Sequence, residues 1–430
     1  MDKQLTAILV GAGNRANIYA STSFNYPEKL KVVGIVDPDP VRREYMKERF
    51  NVPEENCFDY VDALCKREKF ADVIINGTMD QLHVDTAIPT LEKGYDLLLE
   101  KPFAISEEEI QRLREVAKRN GSKVVICHVL RYTKFYRSIK DHILSGDIGD
   151  VVSIEMCEHV NYNHMSVSYV RGKWRSVELC YAPMILAKSC HDVDLMMWLM
   201  KPTEPVSVAS FGSDMQYGPA HKPEGAGNRC MVDCPYNKEC PYSAESNYID
   251  QPRWFQYVWK GNPKLINMSD DEKREHLNTI NPFGECQWNF DRGDNVAQQT
   301  MIVNFKNGAL GTFSMIGGAA KSERNIHIIG TKGEIKGCFE SSKYVIRKMT
   351  PSANYDGYTE EEFDLDIGGD MIGASGSHGG GDENLVLDFV DYINGHEPSV
   401  SCTTLEDSVI SHHTVFCAEI ARKNGTVEKI

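Results

Sequence analysis

Long apolar runs are missing from this 430-residue chain; none is long enough to span a bilayer, which excludes a helical membrane protein. Basic residues are in short supply, 47 Lys and Arg against 62 Asp and Glu, for a formal net charge of −15. That deficit speaks against nucleic acid and anionic membranes as partners, while leaving room for a locally basic groove. No secretory leader is expected either, since Met1-Asp2-Lys3-Gln4 passes directly into an apolar strand; a cytoplasmic location is expected. No internal repeat is visible, and no two of the thirteen cysteines form a C-x2-C pair. In a reducing compartment those cysteines read as free thiols, any cluster being a metal candidate before a disulfide one. What is left is ordinary: 41% hydrophobic and 25% charged residues, enough chain for two domains with sizeable cores.

What is present begins with the first 37 residues. Residues 5–10 form a short buried-strand run, followed by Gly11-Ala12-Gly13-Asn14-Arg15-Ala16 and a second strand, 31–36, that ends at Asp37. Gly11 suits a tight turn. Gly13 has no Cβ, so a pyrophosphate can approach the N-terminus of the next helix, where free N–H groups favour an anion. Ala16 takes the third small position of the pattern. Asp37 is placed to accept hydrogen bonds from a ribose diol and to repel a 2′-phosphate, which favours NAD over NADP. Arg15 and Arg42 lie close enough in sequence to weaken that preference. Strand, turn, helix, strand and acid in register make a dinucleotide-binding fingerprint; the bland alternative is a βαβ unit that binds another nucleotide or nothing.

The alternation continues to residue 128. Helices are expected over 40–50, 80–93 and 106–119, the last with a Ser106/Glu109 capping box, and strands over 72–75, 95–99 and 123–127. That order requires an α/β fold, a Rossmann doubly wound parallel sheet over residues 1–128, with the ligand crevice at the C-terminal ends of the strands. Those ends carry Gly11, Asp37, Asn76-Gly77-Thr78, Glu100-Lys101 and His128. Over 129–430 the pattern becomes that of a C-terminal α+β domain with a large, mostly antiparallel open sheet. Its helices are expected over 135–144, 185–200 and 383–394, its strands over 151–158, 296–305, 308–316, 326–329, 334–338 and 344–348. Asn307-Gly308 and Lys332-Gly333 read as hairpin turns. A Cys- and aromatic-rich insertion fills 213–290, and 373–382 is a Gly/Ser-rich connection.

Four groups of residues have the chemistry for a site. Lys101, after a strand that should face the nicotinamide, suits proton exchange with a substrate hydroxyl; the bland reading is a surface lysine paired with Glu100. Lys188, His191 and Asp192 share a helical face at i, i+3 and i+4, and a histidine beside a carboxylate is a fair general base, though a structural histidine is the plainer reading. Arg171 and Trp174 suit a sugar through hydrogen bonding and ring stacking, with Trp254, Phe255, Tyr257 and Trp259 able to serve likewise; aromatic core packing is the alternative. Arg131 and Tyr132, just past the strand end at His128, complete the substrate candidates. Finally, Cys230, Cys234, Cys240 and Cys286 suit a structural zinc or an iron–sulfur cluster, or are unconnected thiols packing a loop.

Taken in order, Gly11-Ala12-Gly13, Asp37, Thr78-Met79-Asp80-Gln81-Leu82-His83, Glu100-Lys101-Pro102, His191-Asp192-x-Asp194 and Gly330-Thr331-Lys332-Gly333-Glu334 resemble the glucose–fructose oxidoreductase/inositol dehydrogenase (Gfo/Idh/MocA) family along essentially the whole chain. The resemblance implies NAD(P)-dependent oxidation or reduction of a secondary alcohol on a small carbohydrate or polyol. It implies Lys101 and His191 as the catalytic pair, and Thr78, Asp80, His83, Glu100 and Pro102 as residues that contact or shape the cofactor site. It also implies a homo-oligomer, dimer or tetramer, formed through the second sheet. One position departs from the pattern: where family dehydrogenases carry an Asp four residues before the histidine, this chain has Ala187. Redox-assisted glycoside cleavage and non-catalytic NAD(H) sensing are therefore the competing expectations.

Overall fold

The computed structural model describes residues 2–259, 268–352, 355–365 and 378–430. Strands β1 (Leu5–Val10), β2 (Leu30–Val36), β3 (Cys57–Phe58), β4 (Val73–Asn76), β5 (Asp96–Leu99) and β6 (Val124–Ile126) form a parallel sheet in the order β3-β2-β1-β4-β5-β6. The order reverses between β1 and β4, so the turns that follow these two strands flank one crevice. Helices cover both faces, which is why Ile8, Leu9, Ile74, Leu97 and Leu98 are all fully buried and the strands are continuously apolar.

Local chemistry sets the helix ends. Asp39 caps the helix Pro40–Phe50, with Pro40 in its first turn, and Asn51 ends it in the left-handed conformation. Ser106 caps Glu107–Asn120, but only half of the expected capping box forms: the Glu109 carboxylate accepts from the Ile105 N–H, at 2.8 Å.

The second sheet has nine strands: β7 (Val151–Asn161), β8 (Pro205–Ser213), β9 (Gln298–Phe305), β10 (Leu310–Ala319), β11 (Glu323–Gly330), β12 (Gly333–Cys338), β13 (Lys343–Met349), β14 (Tyr358–Asp364) and β15 (Val427–Lys429). Their order is β14-β13-β12-β11-β7-β10-β9-β8-β15, antiparallel except for β7 beside β10. Met301, Val303, Phe313, Met315 and Ile328 alternate onto one face, against the wholly buried helix Cys190–Met200. Phe211, Ile302 and Leu310 lie on the opposite, exposed face.

Among the elements not anticipated from the sequence are β8, β14 and a long C-terminal helix. β8 and β14 lack a clean alternation, and the helix Leu405–Asn424 buries Ser408, Ser411, His412 and Thr414, so its apolar period is broken. The helix expected over 185–200 divides into Met184–Ala187 and Cys190–Met200, interrupted at Lys188 and Ser189. Of the Gly/Ser-rich connection, residues 373–377 lie outside the described residues, as do 260–267 of the insertion. The chain then returns to the first sheet. Leu385, Val386, Phe389 and Val390 share a core with β1 and Tyr19, and the Ile126 N–H donates to the Thr403 carbonyl at 2.8 Å along the β6 edge. Among the described residues, no helix is long and apolar enough to cross a membrane.

Candidate active site

The turn expected to cradle the cofactor is built around Gly11. Its φ of +84° and its surroundings both require glycine, because a Cβ there would lie 2.8–2.9 Å from Gly77 and the Thr78 N. Gly77 in turn packs on Ala16, which explains the small third residue of the turn. Gly13 has φ −85° and open space, its nearest neighbour for a Cβ being the Gly77 carbonyl at 3.8 Å. It begins the twelve-residue helix Asn14–Asn25 with no side-chain cap and no acidic residue in the first turn. An uncapped helix start fits the pyrophosphate of a dinucleotide. Asp37 at the end of β2 accepts from the Ala12 N–H at 2.7 Å and the Asp39 N–H at 2.8 Å, so it also ties the glycine turn to β2.

The two arginines go elsewhere. Arg15 turns inward to Glu100 (2.8 Å), Tyr19 and Asp382, and Arg42 pairs with Asp39 at 3.5 Å. It is Arg43 that reaches the end of β2, donating to the Asp37 carbonyl at 2.6 Å. Arg15 is thus removed from any competition over a 2′-phosphate. The remaining cofactor-side residues lock the rim: Thr78 Oγ1 donates to Asn76 at 2.8 Å, and His83 bridges the Pro102 carbonyl (2.6 Å) and the Thr78 carbonyl (3.1 Å). Asp80 accepts from Trp174 Nε1 at 2.9 Å, joining the rim to the second domain. Burial would raise Glu100, but Arg15 and Lys101 hold its carboxyl below the usual range.

Lys101 and His191 come together from separate domains. The Lys101 Nζ donates to the Ala187 carbonyl at 3.2 Å, in the turn that leads into the helix bearing His191. Burial, reinforced by the charge of Lys101, keeps His191 far below the ordinary imidazole range and therefore neutral. Two further buried imidazoles line up behind it. His128 is 5.8 Å from both the His191 and His412 rings, and burial keeps both His128 and His412 neutral.

Beside this pair lies a buried charge cluster. Glu158 on β7 faces Arg324 on β11 across the sheet and pairs with it; Lys188 Nζ reaches Glu158 at 2.6 Å. Arg324 also holds Asp192 (3.1 Å) and Glu340 (3.3 Å). Arg324 and Lys188 keep Glu158 down to about 2 against its burial, whereas burial and the Glu158 charge push Asp192 up to about 8. The shared helical face expected for Lys188, His191 and Asp192 is corrected by the break at Ser189. Lys188 and Asp192 converge on Glu158 and Arg324, while His191 turns to Lys101 and His128.

Three substrate candidates are also corrected. Arg131 is buried and makes a two-pronged pair with Asp194, at 2.5 and 2.6 Å. Tyr132 packs into the first domain's core, with Asp388, Cys402 and Thr403 around its hydroxyl. Arg171 is buried in the insertion, donating to the Glu285 and Tyr242 carbonyls, both at 2.9 Å, and to Ser166, also at 2.9 Å. Trp174 does face the crevice, through Asp80. The metal expectation fails as well: among the described residues, no three His, Cys, Asp or Glu side chains are placed to hold an ion. Cys230, Cys234, Cys240 and Cys286 instead line a cavity of about 260 Å³ that they share with the Arg171 guanidinium, 3.6 Å from the Cys230 Sγ, a cation where a metal would compete. All thirteen cysteines are free thiols.

Several site residues carried no sequence signal. His164 stacks on Trp254 with ring centroids 4.2 Å apart, and burial together with Lys188 holds it neutral. Tyr257, one of the aromatic candidates of the insertion, lies with its ring centroid 6.1 Å from that of Trp174, and burial pushes its phenol up to about 12. Glu158, Arg324 and Asp382 are single polar residues that belong to no motif. Only alternation on β7 and β11, which turns Glu158 and Arg324 inward, could have pointed to two of them.

A parallel-sheet nucleotide domain whose Lys101 meets the His191-bearing segment of a second, antiparallel-sheet domain has the architecture of a two-domain dinucleotide-dependent oxidoreductase. The chain matches the family model described as oxidoreductase family, NAD-binding Rossmann fold, over residues 5–128, and that for the family's C-terminal alpha/beta domain over 140–428; it belongs to the Gfo/Idh/MocA oxidoreductase family. It is 27% identical to "Putative oxidoreductase YteT" of Bacillus subtilis (strain 168) over 370 residues, 84% of this chain and 82% of that one. It is 26% identical to inositol 2-dehydrogenase of Salmonella typhimurium over 197 residues, 46% of this chain and 54% of the relative. Among solved structures, the WlbA dehydrogenase of Bordetella pertussis, in complex with NADH and UDP-GlcNAcA, shares the fold at a TM-score of 0.66 and 16% identity, covering 100% of this chain and 99% of that one.

Proposed function

We propose that this oxidoreductase uses NAD to oxidise a secondary alcohol of a sugar, glycoside or cyclitol. The observation that carries the reading is the meeting of Lys101 with the turn before His191, at 3.2 Å, at the mouth of the cofactor cradle. NAD, when bound, supplies the hydride acceptor. Gly11, Ala12, Gly13 and Asn14 would hold its pyrophosphate, and Asp37 its ribose, which favours NAD over NADP. His191 is kept neutral and so is fitted to accept the hydroxyl proton, while Lys101 donates a hydrogen bond to the same oxygen and stabilises the charge that develops there. A sugar or cyclitol suits the aromatic side of the crevice, where Trp174, Tyr257 and His164 lie. The inositol 2-dehydrogenase relative and the NADH-bound WlbA dehydrogenase lend support by analogy.

The test is NADH formation across a panel of sugars, cyclitols and glycosides. Lys101→Met and His191→Ala should each lower kcat by about 10²- to 10⁴-fold, the usual range for proton-transfer groups. Normal turnover by either variant would remove the mechanism. Ala187 favours a second reading, redox-assisted glycoside cleavage; release of an aryl group without net NADH would select it. Binding of NADH with no turnover anywhere in the panel would select a sensor. The exposed Phe211, Ile302 and Leu310 on the open face of the second sheet support a homo-oligomer formed there.

A further inference from the structure

We infer that the site is built for a sugar acid, a uronate- or aldonate-type substrate whose carboxylate is bound by Lys188 beside Lys101. The inference rests on the oxidoreductase reading above and adds the chemical class of the substrate. Each carboxylate around the crevice is already engaged. Glu100 is taken by Arg15 and Tyr19, Asp382 by Arg15 and His378, Glu158 by Lys188, Arg324 and Ser189, Asp192 by Arg324, and Asp80 by Trp174.

Among the described residues, the Lys101 ammonium, by contrast, makes no ion pair; its one hydrogen bond is to the Ala187 carbonyl. Lys188, the next residue along, spends one ammonium donor on Glu158 and retains two. The arrangement is also layered. The Lys188 side chain is 13% exposed while its partner Glu158 is 2% exposed, so the cation is the more accessible of the pair. The carbonyl that Lys101 reaches belongs to Ala187, the residue directly before Lys188, which brings the two lysines to neighbouring positions. With Asp192 pushed up to about 8, the cluster behind Lys188 carries no excess negative charge at neutral pH that would repel an incoming anion. A substrate carboxylate would give Lys101 the direct ion pair that no described residue gives it.

The experiment compares kcat/KM for NAD reduction with glucuronate and galacturonate against glucose, galactose and myo-inositol. A parallel titration measures thermal stabilisation of the NADH-loaded protein by the same compounds. Acid sugars should be preferred by tenfold or more and should alone raise the melting temperature. Lys188→Gln should cut the acid-to-neutral ratio about 10- to 100-fold, the cost of one charge-assisted hydrogen bond, and Lys188→Arg should restore most of it. Ala187→Asp should cut the ratio by a different route, adding a competing carboxylate without touching Lys188. Equal or better turnover of the neutral sugars overturns the inference and leaves the oxidoreductase reading standing. An absence of turnover with every compound, with no stabilisation by the acids, overturns both.

Discussion

At the scale of single residues, chemistry that looks alike in a sequence is separated by what each side chain meets. Arg131, Arg171 and Arg15 all carry guanidinium groups in segments that invite a ligand. Each is committed inside the protein, to Asp194, to insertion carbonyls, and to Glu100 with Asp382. Burying an arginine requires such partners, because an unpaired buried charge costs several kcal/mol. Asp37 keeps the position expected of it, although its oxygens also hold Ala12 and Asp39. Asp37→Asn retains one acceptor oxygen and removes the charge that would repel a 2′-phosphate. The ratio of NADP to NAD efficiency should then rise about tenfold, equal to roughly 1.4 kcal/mol. An unchanged ratio, measured by steady-state kinetics with both cofactors, would assign discrimination to another residue.

At the scale of elements, the glycine turn gives a separable prediction. Gly11 is required by the folded backbone itself, so Gly11→Ala should lower the melting temperature, the left-handed conformation alone costing about 1–2 kcal/mol. Gly13 has room for a methyl group in the folded chain, so Gly13→Ala should melt normally and lose NAD affinity instead. Equal melting losses in the two variants, seen by thermal unfolding with and without NAD, would refute this division. The elements also show where pattern reading succeeds. β1, β4 and β5 are covered on both sides and appear as plain apolar runs. The helix Leu405–Asn424 escapes because its buried face carries Ser408, Ser411, His412 and Thr414; the Ser411 and Thr414 hydroxyls donate to carbonyls one turn back, and His412 is set against His128 and Phe103.

At the scale of the whole molecule, buried histidines set the response to acid. His128, His164, His191 and His412 are all held well below the ordinary value near 6.5, chiefly by burial. Below that pH the unfolded chain takes up protons that the folded chain refuses, so stability falls as pH falls, by about 1.4 kcal/mol per unit for each group. Asp192 opposes this: it stays protonated in the fold up to about 8, and its contribution falls as pH rises. With four imidazoles acting in one direction, stability is expected to fall as the pH drops from 6.5 to 5. A denaturant midpoint that does not move between pH 7 and 5.5 would show that these imidazoles titrate inside the fold. The open face of the nine-stranded sheet gives a second expectation at this scale. Replacing Phe211 and Ile302 with Asp and Lys should reduce the particle mass measured by light scattering to that of one chain, and an unchanged mass would move the interface elsewhere.

The nucleotide domain, the glycine turn, the order of its strands and the two families of strand pattern were all legible in the linear chain, because each follows from periodicity and turn chemistry between near neighbours. So were Lys101 and His191 as candidates, since each sits at the end of an element whose direction is predictable. What the chain alone does not reveal is which distant residues oppose one another. The pairing of Glu158 with Arg324, the stacking of His164 on Trp254, the break at Ser189 and the return of residues 381–405 to the first sheet arise from strand register and packing between segments far apart in sequence. Burial then determines the protonation of these groups, and burial is a property of the assembled fold rather than of any residue within it.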